Sequence, residues 1–167
     1  KIDNSKITDA KWMDADNDNK VDICVGDQFT GFSIYKNNDT GNFVSVYNFP
    51  SSQKFGYGDY NNDGLIDFLM SGTVLQNHGN FSFTEISIPV IFETILPGLH
   101  DLDNDMDIDI AAINQGTLSL YRNSNENFTE ISLNLPSFIA SYTDYAVGDL
   151  DNDGDIDIII SGYTTEY

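Results

Sequence analysis

The chain has 167 residues and a formal net charge of −20, with 27 acidic side chains against seven basic ones. That balance argues against nucleic acid and anionic membrane surfaces as partners and favours cations. With 40% hydrophobic and 13% aromatic residues, the chain can bury a core and is not a disordered acidic tail. No stretch approaches the roughly 20 apolar residues of a membrane-spanning helix, so no membrane insertion is expected. The opening residues KIDNSK do not read as a signal peptide and there is no initiator Met. The chain is therefore expected to be a processed or trimmed piece of something longer.

Taken in chain order, the first landmark is DADNDNKVD, from Asp14 to Asp22. A short apolar run, ICVG, follows and carries the single cysteine, Cys24, expected as a buried inert thiol with no disulfide partner. Next come FSIYKN, a turn rich in Asn and Gly (NNDTGN) and FVSVYNF. The order then recurs. KFGYG leads into DYNNDGLID (Asp59 to Asp67), FLMSG, TVLQN, the turn HGN and FSFTEISI. DLDNDMDID (Asp101 to Asp109) is followed by IAAIN, TLSLYRN, NSNEN and FTEISL. YAVG leads into DLDNDGDID (Asp149 to Asp157) and IIISG.

All four acidic stretches obey D-x-[DN]-N-D-x-x-[IV]-D, and their starts at 14, 59, 101 and 149 are 45, 42 and 48 residues apart. Alternation and β-branched residues dominate between them, and no amphipathic helix is evident. Each unit reads as four short antiparallel strands, a period that suits a β-propeller blade. The expected fold is all-β, about three and a half blades, with units roughly at 6–53, 54–91, 92–144 and an incomplete 145–167. A β-sandwich or an open solenoid is the rival architecture. A partial ring of this kind is expected to be completed by further blades from the same or another chain, because an open blade face leaves apolar surface and strand edges uncovered.

Aspartates at positions one, three, five and nine of a tight loop present hard oxygen ligands to one centre, which suits Ca²⁺ better than Mg²⁺. The expected side-chain ligands are Asp14, Asp16, Asp18 and Asp22; Asp59, Asn61, Asp63 and Asp67; Asp101, Asp103, Asp105 and Asp109; and Asp149, Asp151, Asp153 and Asp157. Position seven would give its backbone carbonyl, from Lys20, Leu65, Asp107 and Asp155. Up to four Ca²⁺ ions are expected, with the second site weakest because Asn61 replaces a carboxylate. Position eight, Val21, Ile66, Ile108 or Ile156, is expected to turn inward and pin the loop. Position six should need positive φ, which Gly64 and Gly154 adopt freely and Asn19 tolerates. Met106 there means either about 1 kcal/mol of backbone strain or a different geometry. An EF-hand is rejected: it needs an acidic residue at position twelve and flanking helices, and position twelve is Val25, Met70, Ala112 and Ile160.

The stretch FGYGDYNNDGLIDFLMSG, Phe55 to Gly72, resembles the FG-GAP repeat of integrin α-subunit propellers. The pattern YKNN…GNF before the next loop is closer still to the bacterial VCBS/FG-GAP repeats of large secreted and surface proteins. The resemblance implies a blade with a Ca²⁺ loop between its first and second strands. The FG dipeptide itself is clear only at Phe55-Gly56.

The leading functional expectation is an extracellular or cell-surface calcium-binding module for adhesion, or for binding a protein or carbohydrate, with structural calcium. Trp12, Tyr57, Tyr60 and Tyr145 are candidate ligand contacts, each weighed against a role in packing. One alternative is a structural subunit of a surface fibre or multi-protein assembly. Another is a part, catalytic or not, of a secreted carbohydrate-active enzyme. No nucleophile or zinc motif is present, and His100 reads as a strand-end residue rather than a base. The chain itself is expected not to be an enzyme. Sequons occur at Asn38, Asn80 and Asn127, all near hairpin turns.

Overall fold

Each acidic stretch is the bend of a β-hairpin. The computed structural model describes residues 6–50, 54–88, 95–114, 116–124, 127–133 and 141–164. β1 (Ile7–Met13) runs into the first loop and β2 (Asp22–Asp27) leaves it antiparallel, with Met13 opposite Asp22. The chain then reverses into β3 (Gly31–Asn37) through Gly31 at φ 80°. A Cβ on Gly31 would collide with the backbone of Phe49 and Pro50, so only glycine closes this turn. β4 (Phe43–Phe49) completes a sheet of order β1-β2-β3-β4.

The second sheet repeats this with β5 (Gly56–Gly58), β6 (Asp67–Met70), β7 (Thr73–Asn77) and β8 (Phe83–Ser87). Asn80 and Phe81 both take positive φ in its last turn, so β8 begins two residues later than the sequence pattern implies. The third sheet holds β9 (Ile95–His100), β10 (Asp109–Asn114), β11 (Thr117–Ser124) and β12 (Asn127–Ile131). The fourth is a pair, β13 (Ser141–Gly148) and β14 (Asp157–Tyr163). The described residues contain no helix, hence none long and apolar enough to cross a membrane. These are blades of a propeller in an arc that does not close.

The core lies between blades rather than within them. Phe32, Ile34 and Cys24 of blade 1 meet Phe55, Phe68, Met70 and Leu75 of blade 2. Phe32 makes ring contacts at 4.8 Å with both Phe55 and Phe68. Burying each such ring stabilises the interface by about 1.5–3 kcal/mol. Tyr60, Leu69 and Val74 meet Leu99, Ile110 and Ala112 between blades 2 and 3. Ala111, Ile113 and Leu120 meet Tyr142, Tyr145, Ile158 and Ile160 between blades 3 and 4.

The loops take part in this packing with a fixed polarity. Position two faces the following blade: Ala15, Tyr60 and Leu102 belong to the first, second and third interfaces. Position eight faces the preceding blade: Ile66 and Ile108 pack into the first and second interfaces. The inward turn expected of Val21 is not found, and its side chain is 49% exposed. No blade precedes the first loop among the described residues, so Val21 has nothing to pack against. Leu150, at position two of the last loop, is 70% exposed for the mirror-image reason.

The first strands of all four units converge on one open funnel of about 470 Å³, lined among others by Lys11, Tyr57, His100 and Tyr145. Gly98 stands directly beneath the Tyr145 hydroxyl and the His100 ring, where a Cβ has no room.

Candidate metal centres

The four loops share one hydrogen-bond frame, built by their own carboxylates. The position-one carboxylate accepts the N–H groups of positions five and six with separate oxygens. Asp14 takes Asp18 and Asn19, Asp59 takes Asp63 and Gly64, Asp101 takes Asp105 and Met106, and Asp149 takes Asp153 and Gly154, at 2.7–3.2 Å. The position-five carboxylate accepts the N–H of position seven: Asp18 from Lys20, Asp63 from Leu65, Asp105 from Asp107 and Asp153 from Asp155. A carboxylate has about four lone-pair sites, so these bonds leave capacity for a cation.

Such a frame bends the chain twice into the left-handed region. Position six does so as expected, at Asn19 (φ 66°), Gly64 (85°), Met106 (73°) and Gly154 (96°). The third loop therefore keeps the common geometry and carries the strain on Met106, whose side chain lies in solvent. Position four does the same, at Asn17 (φ 62°), Asn62 (57°), Asn104 (58°) and Asn152 (66°). The unvarying Asn is explained by this, since asparagine tolerates left-handed backbone better than other side chains.

The position-nine aspartates anchor the loops to the sheets. Asp22, Asp67 and Asp109 are fully buried. One oxygen of each accepts the N–H of position two, from Ala15, Tyr60 and Leu102. The other accepts the N–H of Asn37, Asn77 or Asn123, at the end of the third strand. Burial pushes all three carboxyls up, Asp67 to about 6, against the pull of those N–H bonds. Asp157 is half-buried and accepts only the Leu150 N–H in this way.

Three loops bring three carboxylates to a point. Oxygens of Asp14, Asp16 and Asp18 lie within 4.8 Å of one another, as do those of Asp101, Asp103 and Asp109, and of Asp149, Asp151 and Asp157. These clusters could each hold a metal ion. Asp22 of the first loop, Asp105 of the third and Asp153 of the fourth stand outside their triplets. The second loop gathers no triplet. There the Asn61 amide donates to Asp63 at 2.9 Å and turns a would-be ligand into a hydrogen-bond partner.

The sequence profile of the FG-GAP-like repeat matches residues 14–70 and 101–160, taking in all four loops and well over half of the chain. The chain belongs to the FG-GAP-like repeat family. No curated protein matches it.

Several residues that matter to this FG-GAP-like frame are absent from the ligand pattern. Asn77 is 1% exposed and bonds across the blade boundary, donating to the Ala15 carbonyl and the Ile66 carbonyl at 2.9 Å each. Asn37 and Asn123 donate likewise to the carbonyls of Val21 and Ile108. Asn62 donates to the Met106 carbonyl at 2.7 Å and Asn104 to the Gly154 carbonyl at 2.5 Å, so the second FG-GAP-like loop is tied to the third and the third to the fourth. Their signal in the sequence is the Asn that ends YKN, LQN and YRN, and the Asn at loop position four.

Of the aromatic candidates, Tyr60 is buried at 2% exposure and packs between blades. Tyr145 is half-buried with its hydroxyl on the Ala111 carbonyl. Trp12 and Tyr57 are exposed. Cys24 is buried, as expected of an inert thiol, and burial pushes it up to about 12. The three sequon asparagines, Asn38, Asn80 and Asn127, are all exposed.

Proposed function

We propose that this chain is a calcium-stapled propeller module of the extracellular space or cell surface, serving adhesion or the binding of a protein or carbohydrate. The observation that carries the reading is the convergence of three carboxylate oxygens in each of three loops. Two oxygens on opposite sides of a Ca²⁺ ion, each about 2.4 Å away, lie about 4.8 Å apart. The oxygens of each triplet lie within that span. The donor set is all hard oxygen, which suits Ca²⁺. Asp16 adds a buried oxygen, Oδ1, with no hydrogen-bond partner among the described residues, an acceptor that a cation would satisfy.

Asp14, Asp16 and Asp18, Asp101, Asp103 and Asp109, and Asp149, Asp151 and Asp157 would hold the ions. The carbonyls of Lys20, Asp107 and Asp155 would complete the shells. The second loop, with Asp59, Asn61, Asp63, Asp67 and the Leu65 carbonyl, would bind last. Calcium would relieve like-charge repulsion and stabilise only the folded state. Weak sites of this kind fill in a millimolar extracellular medium and stay empty in resting cytosol.

The ligand would enter the funnel at the convergence of the first strands. Tyr57 offers an exposed aromatic face, and Lys11, Asp9 and Asp144 offer charge. We assign no catalytic role to the chain. The carboxyls that burial pushes up, Asp22, Asp67 and Asp109, all belong to the loops.

A second reading, an assembly subunit, is favoured by the two end faces. Val21 opens one and Leu150 the other, and these are the two halves of the contact made between interior blades. Further blades, from this or another chain, would bury both. Isothermal titration with Ca²⁺ tests the main reading: three binding events are expected, a fourth weaker. A flat titration of the chelator-stripped protein would contradict it.

A further inference from the structure

The residue one place before the closing asparagine of the third strand is Lys36 in blade 1, Gln76 in blade 2 and Arg122 in blade 3. Its character follows that of loop position three. Lys36 goes with Asp16, Gln76 with Asn61 and Arg122 with Asp103. The geometry gives the reason. The Lys36 ammonium bonds Asp16 Oδ2 and lies 2.8 Å from Asp18 Oδ2. Arg122 Nε lies 2.7 Å from Asp103 Oδ2.

The first loop is where this pairing is tightest. The Asp16 side chain is only 4% exposed, and a carboxylate so buried needs a counter-charge. Lys36 supplies one from the sheet side, and its ammonium also lies 5.1 Å from the Phe81 ring centre of blade 2. The two carboxylates raise the proton affinity of Lys36, and its hydrogen bond holds Asp18 below the usual range. A second ammonium, Lys20, stands 3.7 Å from Asp18 and 2.7 Å from Asp39. In the third loop, Arg122 reaches only position three and its side chain is 54% exposed, so its charge is screened. In the fourth loop the described residues make no ion pair to the triplet.

We propose that Lys36 is a tethered counter-ion that competes with the metal for the first loop, weakening calcium binding there and holding blade 1 together when calcium is absent. The proposal rests on the calcium reading above. A divalent ion and an ammonium cannot share Asp16 Oδ2 and Asp18 Oδ2 without strong repulsion, so the lysine must swing out before the ion seats. The apparent affinity is then the intrinsic one multiplied by the fraction of time the site is open. The expected order of calcium affinity is fourth loop, third loop, then first, although the first has as many carboxylates as either.

The test is Lys36→Met, which keeps most of the apolar stem, and Lys36→Gln, which copies blade 2. Each is compared with the unaltered chain by calcium titration, by native mass and by melting in chelator. An Asp14→Ala change in the same background assigns any altered event to the first loop. One event should tighten about tenfold, the factor for a lysine engaged about nine-tenths of the time. Asp14→Ala should abolish that gain, and melting in chelator should fall while melting in calcium is held or raised. Equal calcium number and affinity in all three proteins, or weaker binding by both variants, would overturn the proposal alone. No calcium in any of them would overturn the calcium reading and the proposal with it. A Lys36→Met chain that folds only in calcium would support it, with Lys36→Gln supplying the affinity.

Discussion

Truncating Asn77 to alanine probes the polar seam between blades 1 and 2 without touching a proposed ligand. Its amide donates to the Ala15 and Ile66 carbonyls, and its own Oδ1 accepts the Gly79 N–H, all at 2.9 Å. Alanine leaves three backbone groups without partners at a site 1% exposed. Leaving a buried polar group unpaired costs about 1–3 kcal/mol, and the more accessible two of these three can recruit water. The expected loss is about 3 kcal/mol, measured by equilibrium urea unfolding in calcium from the midpoint at constant slope. Asn123→Ala is the internal control. Its amide makes one side-chain bond, 3.2 Å long, and its Oδ1 has no partner among the described residues. It should cost only about 1 kcal/mol. Equal costs for the two, or an Asn77→Ala loss under about 1 kcal/mol, would refute the view that a blade-bridging amide holds this seam.

Two further outcomes follow from the same geometry. Met106→Gly should stabilise the chain by about 0.5–1 kcal/mol in urea unfolding, because glycine relieves a φ of 73° and the exposed methionine side chain has little packing to lose. Cys24, pushed up to about 12 by burial, should react with a thiol reagent at pH 8 orders of magnitude more slowly in the folded chain than in denaturant, with a rate that rises with pH as the thiolate fraction grows.

The strand order and the blade type were legible because nine residues recur four times and each recurrence is followed by alternating apolar runs. The left-handed turn at position six was legible from Gly64 and Gly154; of the two outcomes left open at Met106, strain or a different geometry, its φ of 73° is the common geometry with the strain. The burial of position eight was only half legible. A pattern assigns Val21 and Ile66 one role, but burial depends on a neighbour, and Val21 has none among the described residues. Tyr60, weighed between ligand contact and packing, takes the packing role because position two faces the next blade, a direction that periodicity within one unit does not reveal. Positions one, three, five and nine were read as one ligand set in every loop. The structure separates them: position nine stands outside the triplet in the first loop, and position five in the third and fourth. Lys36 and Arg122 escaped notice because a basic residue at a strand end looks like ordinary solvated surface. Only the register that sets β3 beside the first loop and β11 beside the third reveals what they face.

The central claim is that divalent cations hold these acidic bends in their folded geometry. The most direct measurement is the melting of the purified chain by scanning calorimetry in millimolar Ca²⁺ and in excess chelator. Each site held at a hundredfold excess over its dissociation constant adds about 2.7 kcal/mol, which for a chain of this size is about 5–10 °C. Three filled sites should therefore move the transition upward by more than about 10 °C. Superimposable melting curves in the two buffers would contradict the account.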